Sequence, residues 1–103
     1  MSEKNPWQIF NDECKGVADA YQQLMKEANL GRALDEKTRC LVLVGIFSAI
    51  REAGALRHFV GEAIKAGASK REIEAAALLP FSVGVSSAEL SIPIILDMIG
   101  AGV

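Results

Sequence analysis

The central part of the chain, residues 34–76, reads LDEKTRCLVLVGIFSAIREAGALRHFVGEAIKAGASKREIEAA. Within it, the eleven residues from Cys40 to Ile50 carry no charge, which is typical of a helix that is covered on all sides. Asp35 suits the start of such a helix, because its carboxylate can accept hydrogen bonds from the free backbone N–H groups of a first turn. The stretch therefore predicts a central core helix, followed by a break or bend at Ala53–Gly54.

Two more helices are predicted behind the core helix. The first carries an apolar stripe at helical spacing and closes at Gly67. The stripe consists of Leu56, Phe59, Val60, Ala63 and Ile64. Ser69 and Glu72 have the spacing of a capping box, in which the hydroxyl and the carboxylate each accept a hydrogen bond from a free N–H. The second helix is therefore predicted to start at Ser69 and to end near residues 80–84.

Helical patterns also flank the central stretch. Apolar residues at spacings of three and four predict a helix over residues 9–28, which Gly31 ends in the left-handed conformation. Ser86 and Glu89 repeat the capping-box pattern and predict a last helix, which Pro93 kinks. The chain has one threonine, no alternating stretch and no Asn-Gly or Asp-Gly turn. We therefore expect an all-α fold, a compact bundle of five to six helices in a single domain over residues 1–103.

Composition and charge bear on compartment and partners. The net charge is −2 and no Lys or Arg follows Arg71, so a nucleic-acid partner is not expected. Residues 75–96 are long enough to span a membrane but contain Glu89 and two prolines, so a membrane partner is not expected either. The N-terminus lacks the pattern of a secretory signal, and two distant cysteines make no disulfide scaffold. A cytoplasmic protein is the expectation.

The apolar content predicts self-association. Half of the chain is apolar before its nine glycines are counted, and a domain of this size buries only about two-thirds of its unfolded surface. Most of the apolar residues beyond what one core can bury lie after Ala75, where Glu89 and Asp97 are the only charged residues. A last helix that is apolar around much of its circumference needs cover on more than one side. We therefore expect an obligate homo-oligomer.

Two motifs in this order resemble the carboxymuconolactone decarboxylase family, which includes the alkylhydroperoxidase D-like proteins. They are L-D-x-K-T-R at residues 34–39, before the apolar helix, and A-x-x-A-G-A-S-x-x-E-I at residues 63–73. Residues 83–86, Val-Gly-Val-Ser, stand near a glycine-containing turn of the family. The resemblance implies an alkylhydroperoxidase D-like all-helical fold that associates into trimers or hexamers, with active sites near subunit boundaries.

The family's catalytic motif is altered in this chain. The redox branch has C-x-x-C-x-x-x-H before the A-x-x-x-G segment, and counting back from Gly67 puts these positions at Glu52, Ala55 and Phe59. The dithiol is absent there, and thiol–disulfide exchange needs two thiolates within bonding reach. In the lactone-decarboxylating branch, a histidine at the Phe59 position would transfer the proton. The chain's single histidine, His58, stands one residue away from it.

Three side chains are the candidate catalytic residues. His58 has a reference pKa near neutrality, and Glu62, four residues on, shares its helix face and can orient the ring. The same two residues also fit a solvent-facing pair on the polar side of the helix. Glu52, at the end of the apolar helix, suits a general acid if its pKa is raised, or a solvent-facing residue that Arg51 neutralises.

These residues lead to three functional hypotheses. The first is cofactor-free acid–base chemistry on a small lactone or carboxylic acid, with no metal, because one histidine and scattered carboxylates make no ligand cluster. The second is a non-catalytic, degenerate binding or assembly module. The third is an alkylhydroperoxidase-like thiol redox protein that uses Cys14 and Cys40. Free cysteines are usually buried, which argues against this hypothesis.

Overall fold

The computed structural model describes residues 4–100 as helices joined by short turns. The helices are α1 (Pro6–Glu13), α2 (Lys15–Ala28), α3 (Glu36–Ala49), α4 (Ala53–Lys65), α5 (Lys70–Leu78) and α6 (Phe81–Ile99). These six helices, with no strand in the described residues, confirm the predicted all-α class and helix number. The chain forms two compact units, one ending at Asp35 and the other beginning at Glu36.

The first unit holds two helices where one was predicted over residues 9–28. The chain leaves the helical conformation at Cys14, with φ −129° and ψ 55°, so α1 and α2 pack against each other. The bend brings the Trp7 ring to 5.6 Å from that of Phe10 and to 5.8 Å from that of Tyr21. This aromatic packing favours the bend. The spacing of apolar residues in the sequence does not reveal the bend, because the same spacing also fits one continuous helix. The start of α1 was also missed, although Asn5 and Gln8 form a capping box around Pro6.

The turn after α2 is closed by its own side chains. Gly31 takes the predicted left-handed conformation with φ 69°, but α2 ends earlier, at Ala28, and Leu30 is the first residue with a positive φ, 45°. The Asn29 side-chain amide donates to the Leu34 carbonyl at 3.0 Å, and its oxygen accepts from the Leu34 N–H at 3.1 Å. This pair of bonds brings the chain to Asp35, directly before the first residue of α3.

The second unit is built around α3, which packs against both α4 and α5. Cys40 and Val44 on α3 are fully buried, as expected for the central helix. Gly45 lets α5 come close, because a Cβ atom at this position would lie 3.2 Å from the Ala76 carbonyl oxygen. The uncharged run is nevertheless not covered on all sides, since Val42 and Ile46 remain half-exposed.

The turn between α3 and α4 comes slightly before the predicted Ala53–Gly54 break. Arg51 takes a positive φ of 59°, and α4 begins at Ala53. The helix ends before Gly67, which has φ 93°. The predicted capping box of α5 is confirmed, because the Ser69 hydroxyl accepts from the Glu72 N–H at 3.0 Å and the Glu72 carboxylate accepts from the Ser69 N–H at 2.8 Å.

The last helix begins earlier than predicted. It starts at Phe81, so Ser86 and Glu89 lie inside α6 and do not cap it. Ser87 instead donates its hydroxyl proton to the Val83 carbonyl at 3.2 Å, which lets a serine stay inside a helix. Residues 83–86 are therefore helical and form no turn, whereas Pro93 lies within the last helix as predicted.

Candidate functional site

Glu52 is engaged in holding the start of α4. Its side chain is the N-cap, and Oε1 accepts a hydrogen bond from the Gly54 N–H at 3.0 Å. The residue is exposed to solvent. At the position of a family cysteine, this chain therefore has a capping carboxylate, and the catalytic role suggested for Glu52 stays a prediction.

His58 lies on the exposed side of α4. Its ring packs edge-on against that of Phe59, with 4.8 Å between the ring centroids. Within residues 4–100, His58 has no hydrogen bond and no ion pair, so the structure does not join it to Glu62 by a hydrogen bond. The role of His58 as a proton carrier also stays a prediction.

Phe59, to which the resemblance assigns the position of the family's histidine, packs into the helix pair. Its ring stacks on Phe47 of α3, with 5.5 Å between centroids and 5° between the ring planes. Stacking across the two helices gives this position a packing role.

Glu62 is the best placed of the three candidates. Its side chain is 33% exposed and lies 3.6 Å from the ammonium group of Lys65, which is itself well exposed. The negative charge of Glu62 also acts on Arg39 and Cys40 of α3. This influence is small beside those of Glu36 and burial, and we call the region of Glu62 on α4 and of Arg39 and Cys40 on α3 the seam between α3 and α4.

On the α3 side of this seam, Arg39 is held by Glu36. The guanidinium donates from Nε to Oε2 at 3.0 Å and from Nη2 to Oε1 at 2.7 Å, a two-pronged geometry that fixes both side chains. The pKa of Arg39 is raised, first by this hydrogen bond and further by the charges of Glu36 and Glu62, against an opposing effect of burial. Arg39 thus presents a fixed positive charge that is 27% exposed.

Cys40 is unsuited to nucleophilic chemistry in this setting. Its sulfur is buried and lies 3.6 Å from Glu36 Oε1. Burial raises the pKa of the thiol, and the charge of Glu36 adds to this, while Arg39 lowers it. Both Cys40 and the exposed Cys14 are free thiols, and they belong to different units. A buried thiol with a raised pKa is the unreactive kind of cysteine.

An apolar groove lies on the other side of α3. Its volume is about 630 Å³, and it lies between α3, α5 and the first turn of α6. Its lining includes Val42, Gly45, Ile46, Ala76, Leu79 and Val83, with Thr38 and Glu72 as the polar members. Lys37 donates to Glu72 at 3.0 Å, so this carboxylate is already paired. None of the three candidate residues lines the groove.

The sequence reasoning missed Glu36 and Arg39 as parts of the candidate site. The signal was present, because opposite charges three residues apart on a helix are neighbours, and Cys40 follows Glu36 by four. Within residues 4–100, no group of three or more histidine, cysteine or carboxylate side chains is arranged to hold a metal ion.

Comparisons with other proteins place the chain in a family. No curated protein and no solved structure is similar enough to the chain to count as a match. The sequence profile of the carboxymuconolactone decarboxylase family matches residues 15–91, which covers most of the chain and includes the whole seam between α3 and α4. On this match, the chain belongs to the carboxymuconolactone decarboxylase family.

Proposed function

We propose that the protein performs acid–base chemistry on a small lactone or carboxylic acid at the seam between α3 and α4. The observation that carries this proposal is the partial burial of Glu62 on α4, whose side chain is 33% exposed, together with the Arg39 guanidinium that Glu36 holds on the neighbouring helix. The family match supports the substrate class, and the side chains at the seam support the type of reaction.

In this proposal, Glu62 and Arg39 have complementary roles. Glu62 accepts or returns a proton at the carbon next to the carbonyl group, and Arg39 stabilises the negative charge that develops on the carbonyl oxygen. Glu36 keeps the guanidinium in place through its two hydrogen bonds. His58, one helical turn before Glu62, exchanges the proton with solvent.

The net negative charge of the seam limits which substrates it can bind. Glu36 and Glu62 together outweigh the single positive charge of Arg39, and the nearby Lys65 is exposed and therefore screened by solvent. A substrate with several carboxylates would be repelled. We therefore favour a neutral lactone, or an acid with one carboxylate directed away from the seam.

The test is turnover of a panel of small lactones and monocarboxylic acids by the purified protein. Glu62→Gln keeps the size of the side chain and should lower turnover by about 100-fold or more, the usual contribution of a general acid or base. Glu74→Gln, an exposed carboxylate on α5, is the matched control and should leave turnover unchanged. Full activity of Glu62→Gln would contradict the proposal.

A non-catalytic binding or assembly module is the second candidate function. Two observations favour it: Glu52 caps α4, and Phe59 fills the histidine position by stacking on Phe47. In that case, the panel gives no turnover with any substrate, while the protein still binds a small molecule or assembles.

A thiol redox function is less well supported. Its two cysteines lie in different units, and the pKa of Cys40 is raised by burial. Peroxidase activity that is lost on alkylation of the cysteines would favour it.

We also propose that the protein is cytoplasmic and forms homo-oligomers, as trimers or hexamers. The family resemblance supports the oligomer size, and the exposed apolar side chains of α6 support self-association. Light scattering of the purified protein tests the mass of the assembly.

A further inference from the structure

The groove between α3 and α5 is formed by two helices that run in the same direction. Lys37 pairs with Glu72 near the starts of the two helices, at 3.0 Å. Further along both helices, Gly45 lies close to the Ala76 carbonyl oxygen. The two contacts are made in the same order along α3 and along α5, so the groove has an end at which both helices start and an end at which both helices finish.

The groove has the length and the volume of a site for a small elongated molecule. Its lining residues recur at spacings of three and one from Thr38 to Ala49 on α3, and again from Glu72 to Leu79 along α5, which is the pattern of one helix face. The rise from Thr38 to Ala49 is about 16 Å. The volume of about 630 Å³ falls within the roughly 300–1,000 Å³ of small-molecule pockets.

The polar side chains of the described lining lie at one end of the groove. Thr38 and Glu72 each stand at the third position of their helix, so both belong to the end at which the helices start. The ammonium group of Lys37 is at this end too, because it donates to Glu72 Oε2 at 3.0 Å. Beyond the first turns, the lining is apolar as far as Val83 on α6. The groove therefore suits a molecule with one polar head group and an apolar body.

The two charges at the polar end compensate each other. Glu72 accepts from the Ser69 N–H through Oε1 at 2.8 Å and from Lys37 through Oε2 at 3.0 Å. A carboxylate head group would be repelled by Glu72 and an ammonium head group by Lys37. The Lys37 ammonium group carries three N–H donors, of which one is directed to Glu72, so it can also donate to an uncharged oxygen. The charges therefore favour a neutral head group.

We propose that the groove between α3 and α5 binds a neutral aliphatic molecule with one hydroxyl or carbonyl group. The oxygen of this group accepts a hydrogen bond from Lys37, and the hydrocarbon chain lies along the apolar lining towards Val83. Glu62, the residue that carries the proposed reaction, is not among the described lining residues. The inference therefore goes beyond the proposed function and does not rest on it.

An extended polypeptide fits the same groove less well. Its backbone N–H and C=O groups would need partners along its whole length, and the walls of the groove are helices whose own backbone groups are paired internally. A hydrocarbon chain makes no such demand, and each methylene group that the groove covers contributes to binding. The concentration of polar groups at one end also matches a molecule with a single head group.

Calorimetric titration with n-butanol, n-hexanol and n-octanol tests the apolar part of the site. Each step adds two methylene groups and should lower Kd by about 5- to 15-fold, because covering a methylene group contributes up to about fourfold. Ala75 and Ala77 flank the buried Ala76 on α5, and Ala75 lines the groove whereas Ala77 lies outside its described lining. Ala75→Leu should therefore raise the Kd of n-octanol at least about 10-fold, the equivalent of roughly two methylene groups. Ala77→Leu is the matched control and should leave it unchanged.

Head groups on the same chain test the polar end. The wild type should bind n-octanol at least about 10-fold more tightly than octanoate or octylammonium. Lys37→Met leaves the charge of Glu72 uncompensated and should increase the affinity for octylammonium. Glu72→Gln leaves the charge of Lys37 uncompensated and should increase the affinity for octanoate. A variant that merely disturbed the fold would bind all three ligands more weakly, and circular dichroism checks that each variant remains helical.

Four results would overturn the inference. The first is a wild type without saturable binding of n-octanol, which is also the result expected if a second copy of the chain covers the groove. The others are a Kd that does not depend on chain length, an equal loss in Ala75→Leu and Ala77→Leu, and a wild type that prefers octanoate or octylammonium. Turnover of the substrate panel enters none of these measurements, so this inference and the proposed function can fail separately.

Discussion

Arg39 and Glu36 are joined by two hydrogen bonds, of 3.0 and 2.7 Å, across one turn of α3. The pair lies directly before the buried Cys40 and sets the charge on the α3 side of the seam. This side of the candidate site is therefore held by a contact between side chains of one helix.

The pair should contribute modestly to stability. Glu36 is 59% exposed, so solvent screening limits the coupling to about 0.5 kcal/mol. A double-mutant cycle with Glu36→Gln and Arg39→Gln measures it by urea denaturation. A coupling of zero would contradict this prediction.

The two thiols should differ in reactivity. Cys14 is exposed and Cys40 is fully buried with a raised pKa, so one equivalent of a thiol reagent should be consumed by the native protein and two by the denatured protein. Cys14→Ser should leave almost no native reaction. Rapid reaction of both thiols in the native protein would show that Cys40 is accessible.

Glu72 should make stability sensitive to acid. Its pKa is lowered, first by the Ser69 N–H and then by Lys37, so the folded state favours the charged carboxylate. The stabilisation is therefore complete above the ordinary value of 4.5 and is lost as the pH falls through the lower pKa of the folded state.

Thermal unfolding at several pH values between 7 and 3 measures this effect. Glu72→Gln should lose less stability on acidification than the wild type does. Glu74→Gln, on the same helix, should behave like the wild type. Identical pH profiles for wild type and Glu72→Gln would contradict the assignment.

Two glycines in helices should respond differently to alanine. Gly61 on α4 has no atom within 4 Å of an added Cβ, so Gly61→Ala should stabilise the protein by about 0.5–1 kcal/mol. Gly45→Ala should be at least ~1 kcal/mol less favourable, because its Cβ would press on the Ala76 carbonyl. Chemical denaturation compares them, and equal gains would mean that α3 and α5 are not in close contact.

Local chemistry made the second unit largely predictable. The capping box of Ser69 and Glu72 depends only on neighbouring groups, and Gly67 depends only on its own backbone, so both could be recognised from the sequence. The bend at Cys14 could not be, because the packing of Trp7 on Tyr21 that accompanies it joins residues 14 positions apart. The Ser86–Glu89 pattern did not mark a helix start, because the chain is already helical from Phe81 onward.

The candidate site was less predictable than the fold. Helical spacing indicated that His58 and Glu62 share a face, but it could not show that Glu62 acts on Arg39 of another helix. Nor could it show that the carboxylate of Glu52 is already used by the Gly54 N–H. Which polar group is available for chemistry depends on which hydrogen bonds the fold has already made.

The cap at Glu52 limits how this chain can be redesigned. Installing the family's dithiol would require Glu52→Cys and Ala55→Cys, and the first of these removes the oxygen that accepts from the Gly54 N–H. The first turn of α4 would then lose its cap at the point where the new nucleophile must be held. An engineered thiol–disulfide site in this scaffold therefore needs a replacement for the lost acceptor as well as two cysteines.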